Sequence, residues 1–161
     1  MKTHYSVLKN NHYSSSALSA NYLSAENVYK EIGYSYDEMV NQNAAYQNTC
    51  AIRLSLALLK SNIPFAGRLK IKSGKYVGKS IETGAKLLAD QLCLGTAFGK
   101  PEIFKPADTF SKVSRRGVVF FSKIAGFNGG HIDLIESVNF GQVCHSHCFP
   151  DCKEVWFWEL P

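Results

Sequence analysis

The run 48–60, NTCAIRLSLALLK, constrains this chain more than any other stretch. Ala51, Ile52, Leu54, Leu56, Ala57, Leu58 and Leu59 cover nearly the whole circumference of a helical projection. A helix that is apolar on all sides belongs in an interior, not on a surface. Asn48 has the side chain of an N-cap and Pro64 forbids continuation, so the expected helix is short, central and bounded. Other elements must cover it all round.

The last third of the chain supplies the cover. GVVFFSKI (117–124), HIDLIES (131–137), GQVCHSH (141–147) and EVWFWEL (154–160) are β-branched or aromatic runs separated by Gly, Asn and Pro, the pattern of antiparallel strands. Helices first and strands last predict an α+β fold with the central buried helix packed on an antiparallel sheet. A length of 161 residues with 45% hydrophobic side chains suits a single domain over 1–161 with one continuous core. Trp156, Phe157 and Trp158 read as sheet core with one exposed ring, or as a stacking platform for a sugar or base.

The remaining segments are less periodic. Residues 1–23 are rich in Ser, Asn and Tyr and read as an extended N-terminal arm. Ser24 as a cap, with Glu26 in the first turn, starts a short helix over 25–32 that Gly33 closes. Leu69 and Ile71 alternate with Lys70 and Lys72, giving a strand or hairpin arm within 67–77. Ile81, Ala85, Leu88 and Leu92 predict a second helix from Ser80 to about Leu94. The stretch 95–116 carries two prolines and reads as a long loop, suited to walling a cleft.

Two residues carry chemistry. Cys50 falls in the first turn of the central helix, where unpaired backbone N–H groups and the positive end of the helix dipole favour a thiolate. His131 follows Gly129 and Gly130 and opens a strand, so space surrounds it and the strand fixes its direction. An imidazole beside a thiol takes its proton, and a third polar group orients the ring through its other nitrogen. The N–H groups at the helix start are natural oxyanion donors, with Gln47 or Asn48 adding a side chain. Asp133 shares a strand face with His131, because residues two apart point the same way.

Cys144, Cys148 and Cys152 crowd into nine residues with His145 and His147. Structural zinc takes ligand pairs from separated elements, so a disulfide is favoured over a metal, and no cofactor is expected. No window reaches the roughly 20 apolar residues of a membrane span, and the first 24 residues lack the apolar core of a signal peptide. Synthesis in the cytoplasm and no membrane partner follow. The net charge of +5 is modest and suits an anionic polymer. Nucleic acid is not the expected partner, because a non-catalytic basic binding module leaves the settings of Cys50 and His131 unexplained.

NTCAIRLSLAL (48–58), GVVFF before GGHIDL (117–134), the Cys/His run and KEVWFWEL (153–160) together resemble the fourth family of type VI secretion amidase effectors. The resemblance covers about the last two thirds of the chain. It implies a papain-like domain related to NlpC-type peptidases, cutting peptidoglycan stem peptides between D-glutamate and meso-diaminopimelate, with Cys50 as nucleophile and His131 as base. It also implies delivery by type VI secretion machinery without a signal peptide, action in the periplasm of a target cell, and a cognate immunity protein. Another cysteine amidase, such as a phage-type lysin, is the neighbouring enzyme reading. In the family an Asp between two disulfide-forming cysteines serves as third group, whereas here CHSHC places Ser146 there. Ser146 or Asp151 is therefore expected in that role, ahead of Asp133, which is read as lining the cleft. The family suggests the pair Cys144 with Cys148; Cys148 with Cys152 is equally open by separation.

Overall fold

A computed structural model describes residues 3–105, 114–127, 129–139 and 141–161. Its helices are α1 (Tyr5–Asn10), α2 (Ala25–Glu31), α3 (Tyr36–Gln42), α4 (Cys50–Lys60) and α5 (Ala85–Leu92). Its strands are β1 (Leu69–Lys70), β2 (Ser80–Ile81), β3 (Glu102–Phe104), β4 (Gly117–Ser122), β5 (His131–Val138), β6 (Gly141–Cys144) and β7 (Glu154–Glu159). Strands β1 and β2 form a small antiparallel pair, while the main sheet has the order β3-β7-β4-β5-β6 with every neighbour antiparallel.

The all-round apolar run forms α4, buried from Cys50 through Leu58. Leu54 and Leu58 pack with Leu8 of α1, Leu88 and Leu92 of α5, and Val118, Phe120, Ile132 and Leu134 of the sheet. Ile52 and Leu56 point the other way, into Val28, Tyr29, Ile32, Met39, Ile71 and Ile81. Each of these fully buried aliphatic side chains stabilises the fold by about 1.5–3 kcal/mol relative to exposure. The strands alternate as their period of two requires: Val119, Phe121 and Ile135 face a third cluster with Val155 and Phe157. The aromatic terminus packs rather than presenting a platform, with Phe157 and Trp158 buried and Trp158 Nε1 donating to the Gly99 carbonyl at 2.8 Å.

Several elements differ from the sequence reading. The first residues are not an extended arm throughout: Tyr5 and Leu8, three apart on α1, are buried in the main core, and Tyr5 N donates to the Pro161 carbonyl at 2.9 Å. A six-residue helix is too short to show a period and depends on tertiary packing. The predicted helix from Ser80 begins only at Ala85, because Ser80 and Ile81 pair with β1 and the buried Glu82 is held by Arg68. Between α2 and α4 the chain also forms helix α3 and a 3-10 turn over 44–47, α3 capped by Ser35 and the turn by Asn43. Within the long loop of 95–116, Glu102–Phe104 forms an edge strand against β7, and residues 106–113 lie outside the described residues.

The glycines before β5 are needed for its position. Gly129 has φ of +147°, which side chains rarely tolerate, and a Cβ on Gly130 would sit 2.4 Å from the Phe120 ring. This close approach lets the chain enter β5 against β4, where His131 pairs with Phe121.

Candidate active site

Thr49 precedes the first turn of α4, and the Asn48 side chain accepts a hydrogen bond from the Cys50 N–H at 3.2 Å. The N-cap is Thr49, whose side chain makes no capping bond, so Asn48, expected at that position, sits one residue earlier and reaches the helix start through Cys50 N. Cys50 is 8% exposed and His131 7%, and both line a cavity of about 360 Å³ together with Gln47, Asn48, Phe127, Ser146, His147 and Phe149. A second cavity of similar size, walled by Ala44, Leu87 and Lys86, shares Gln47, Asn48 and Phe127 with it. The two cavities adjoin at these shared residues.

Two side chains bear on the charge of His131. Its Nε2 lies 3.1 Å from Asp133 Oδ2, and Cys50 lines the same cavity, close enough to favour the charged imidazole. Burial opposes the charged imidazole, but the bond to Asp133 and the contact with Cys50 outweigh it and push the His131 pKa up to about 10. Burial likewise opposes the Asp133 carboxylate, which the His131 imidazole and further donors nevertheless hold below the usual range. Those donors are Leu134 N on Oδ1 at 2.8 Å, and Ser146 N and His147 N on Oδ2, each at 3.0 Å. Asp133 is fully buried behind the imidazole rather than facing the cleft.

The other two third-group candidates lie elsewhere. Ser146 reaches the cavity, but its hydroxyl accepts from Ser15 N at 2.9 Å and lies 3.4 Å from the Ser14 hydroxyl, turned toward the N-terminal residues. Asp151 is exposed, and its backbone carbonyl accepts from Ala125 N. Of the cysteines, Cys144 and Cys148 are joined in a disulfide, while Cys152 is unbridged and burial pushes its thiol pKa up. The bridge encloses residues 145–147, the segment whose amides point at Asp133. Among the described residues no three His, Cys, Asp or Glu side chains converge to hold a metal ion.

Two parts of this arrangement escape a reading of the sequence. Arg53, 2% exposed, is the one charge within the buried stretch Cys50–Leu58 of α4, which is itself a signal: a cation there needs buried acceptors. It finds them in Thr49 Oγ1 at 2.8 Å and the carbonyls of Ser14 at 3.0 Å and Leu23 at 2.6 Å. His12 is the other. Buried at 2% exposure, its Nδ1 shares a 2.6 Å hydrogen bond with Nδ1 of His145, and burial pushes its pKa down to about 3. Nothing in the local sequence distinguishes His12 from a tail residue.

The fold is shared with solved structures. The crystal structure of the type VI effector Tae4 from Enterobacter cloacae matches with a TM-score of 0.71 at 19% identity, covering 100% of this chain and 98% of that one. The effector of the Tae4–Tai4 effector–immunity complex from Salmonella Typhimurium matches with a TM-score of 0.67 at 21% identity, covering 98% and 95%. No curated protein sequence matches. The family model described as type VI secretion system amidase effector protein 4 matches residues 46–158, more than half of the chain and the whole stretch from Gln47 to Asp151. This chain therefore belongs to the Tae4 family of type VI secretion amidase effectors.

Proposed function

We propose that the chain is a cysteine peptidoglycan amidase in which Cys50 is the nucleophile, His131 its general base and Asp133 the group that orients the base. The observation that carries this reading is that Cys50 and His131 meet in one cavity while the buried Asp133 carboxylate lies 3.1 Å from the imidazole. The Asp133 bond occupies Nε2, leaving Nδ1 for the thiol. In the reacting pair His131 carries the proton of Cys50, which its raised pKa favours; sulfur attacks the amide carbonyl carbon and the imidazolium gives that proton to the departing amine. Water, deprotonated by the same imidazole, then releases the acyl group from the thioester. Oxyanion charge is met by the Cys50 N–H, now occupied by Asn48, and by the side-chain amide of Gln47 on the cleft rim.

A helix-borne cysteine followed by a strand-borne histidine and carboxylate supports a papain-like, NlpC-type domain. The whole of 1–161 acts as one catalytic unit, with 3–23 of the arm 1–23 braced into it. The substrate is the stem peptide, cut between D-glutamate and meso-diaminopimelate; a cavity that sets Gln47, Asn48 and His147 beside Phe127 and Phe149 around Cys50 suits a peptide. The chain reaches the target periplasm through type VI machinery, and a cognate immunity protein blocks the cleft, as family membership and the Tae4–Tai4 complexes of its structural neighbours support.

Mass spectrometry of muropeptides digested by wild type and by Cys50→Ala tests the reading. Fragments ending at D-glutamate are expected from wild type alone. Equal release by the variant would remove the cysteine mechanism, and a different product terminus would move the scissile bond.

A further inference from the structure

We propose that the N-terminal arm is a working part of the site, in which His12 and Ser14 are positioning residues that hold the segment 145–147 against Asp133. This rests on the reading that Cys50, His131 and Asp133 act together.

Asp133 Oδ2 takes amide hydrogens from Ser146 and His147. Those residues follow β6, the last strand at one edge of the sheet, and on the sheet side His145 N donates to the Leu134 carbonyl. The opposite side is gripped by the arm. The Ser14 hydroxyl donates to the His145 carbonyl at 2.6 Å, Ser15 N donates to Ser146 Oγ at 2.9 Å, and His12 bonds His145 ring to ring. Ser19 Oγ reaches the other ring nitrogen of His145 at 3.3 Å.

The arm is fixed in turn. Ser14 N donates to the Asn21 carbonyl and Leu23 N to that of Ser14, closing the arm on itself. Arg53 of α4 then binds the Ser14 and Leu23 carbonyls, three residues beyond Cys50 in the same helix. The contacts close a ring: Cys50, α4, Arg53, the arm, segment 145–147, Asp133, His131 and back to Cys50. His12 and Ser15 also line the cavity that holds Cys50. An arm that only covered the core would bury apolar side chains here. Burying a histidine and a serine is costly unless their hydrogen bonds are made; the His12 ring bonds His145, and the Ser14 hydroxyl donates to the His145 carbonyl while accepting from Ser16 N.

Displacing that segment turns the Asp133 carboxylate and with it the imidazole. Misplacement on the order of 1 Å is enough to lower turnover by roughly 100-fold. The experiment measures kcat, KM and the pH profile on a soluble stem peptide for Ser14→Ala, His12→Leu and His12→Asn, with thermal unfolding to confirm the folded fraction. Ser14→Ala and His12→Leu are expected to lose roughly ten-fold in kcat with KM within about two-fold. The acid limb of kcat should move upward, since Asp133 loses a donor that keeps it ionised. His12→Asn, which presents a polar atom near the Nδ1 position, should recover most of the loss. Unchanged kcat and acid limb, or a loss no larger than the unfolded fraction, would overturn the proposal. Should the buried variants fail to fold, Ser19→Ala carries the same readout with a smaller expected loss, and an unaltered profile there overturns it equally. Cys50→Ala is measured alongside. If it retains activity, the cysteine reading fails; if it is dead while the arm variants are fully active, only the positioning role fails.

Discussion

The His131 imidazole and the Asp133 carboxylate, two residues apart on one face of β5, meet at 3.1 Å with both side chains buried. Asp133 accepts four hydrogen bonds, from His131, Leu134, Ser146 and His147, which more than fill the acceptor capacity of a neutral amide. Asp133→Asn can keep its oxygen toward His131 only by turning its NH2 group onto Leu134 N. The variant is expected to lose roughly 100-fold or more in kcat through misorientation of the base, with KM little altered. The clash with Leu134 should cost about 1–3 kcal/mol of stability. Steady-state kinetics and chemical denaturation of the purified variant check the two effects separately.

The same pair sets the pH dependence of stability. His131 has its folded pKa raised to about 10, so its contribution is complete below the unfolded value of about 6.5 and fades as pH rises toward 10. Asp133 and His12 both have depressed folded values. His12 therefore weakens the fold as pH falls from about 6.5 toward 3, when the unfolded chain takes up a proton that the buried ring refuses. Asp133 adds its own loss on acidification below about 4. Stability should peak near pH 6–7. Tm measured from pH 3 to 10 should decline on both sides, and Asp133→Asn should flatten the alkaline side; a wild-type Tm that keeps rising through pH 9 would contradict the His131 assignment.

How much of this is legible in the sequence depends on how far apart the cooperating residues lie. Helix α4 and strands β4 to β7 announce themselves because each carries its own period, and Cys50 and His131 stand at the starts of such elements. Asp133 is visible as a residue on the same strand face, yet its depth behind the imidazole is not, since burial there is created by residues 145–147 folding over it. The bond between His12 and His145 joins positions 133 residues apart, and nothing local encodes it. Helix α1 is illegible for a related reason: its two buried side chains make sense only once α4 is in place.

The Cys144–Cys148 disulfide ties both ends of the segment that donates to Asp133. Closing so small a ring stabilises by roughly 2 kcal/mol in the chain-entropy account. Replacing both cysteines by Ala should lower stability by about that amount. Because the loop then fluctuates beneath the carboxylate, kcat should fall by more than the stability change alone would produce at temperatures where the variant is folded. Treatment of wild type with a reductant should reproduce the kinetic loss, and reoxidation should reverse it. A variant with full kcat and lowered Tm would confine the bridge to a structural role.

Arg53 supplies the last test, because it is a buried cation with no carboxylate among its hydrogen-bond partners. Burial lowers its pKa, and the Ser14 and Leu23 carbonyls with the Thr49 hydroxyl take the place of water around the guanidinium. Arg53→Met keeps the aliphatic stem but leaves those carbonyls unmatched, at a cost of about 1–3 kcal/mol for each one that water does not reach. Arg53→Lys retains the charge, but a single ammonium in place of a planar fork cannot span Thr49 and both carbonyls in the same geometry. The order of stability expected in urea denaturation is therefore wild type, then Lys, then Met. Hydrogen exchange should place the loss in the arm: the amides of Ser14 and Leu23, which close the arm on itself, should lose protection in both variants while those of β4 and β5 keep theirs. If the Met variant instead matched wild type, the carbonyls would be satisfied without the guanidinium, and the link from α4 to the arm would be lost from the ring that ends at Asp133.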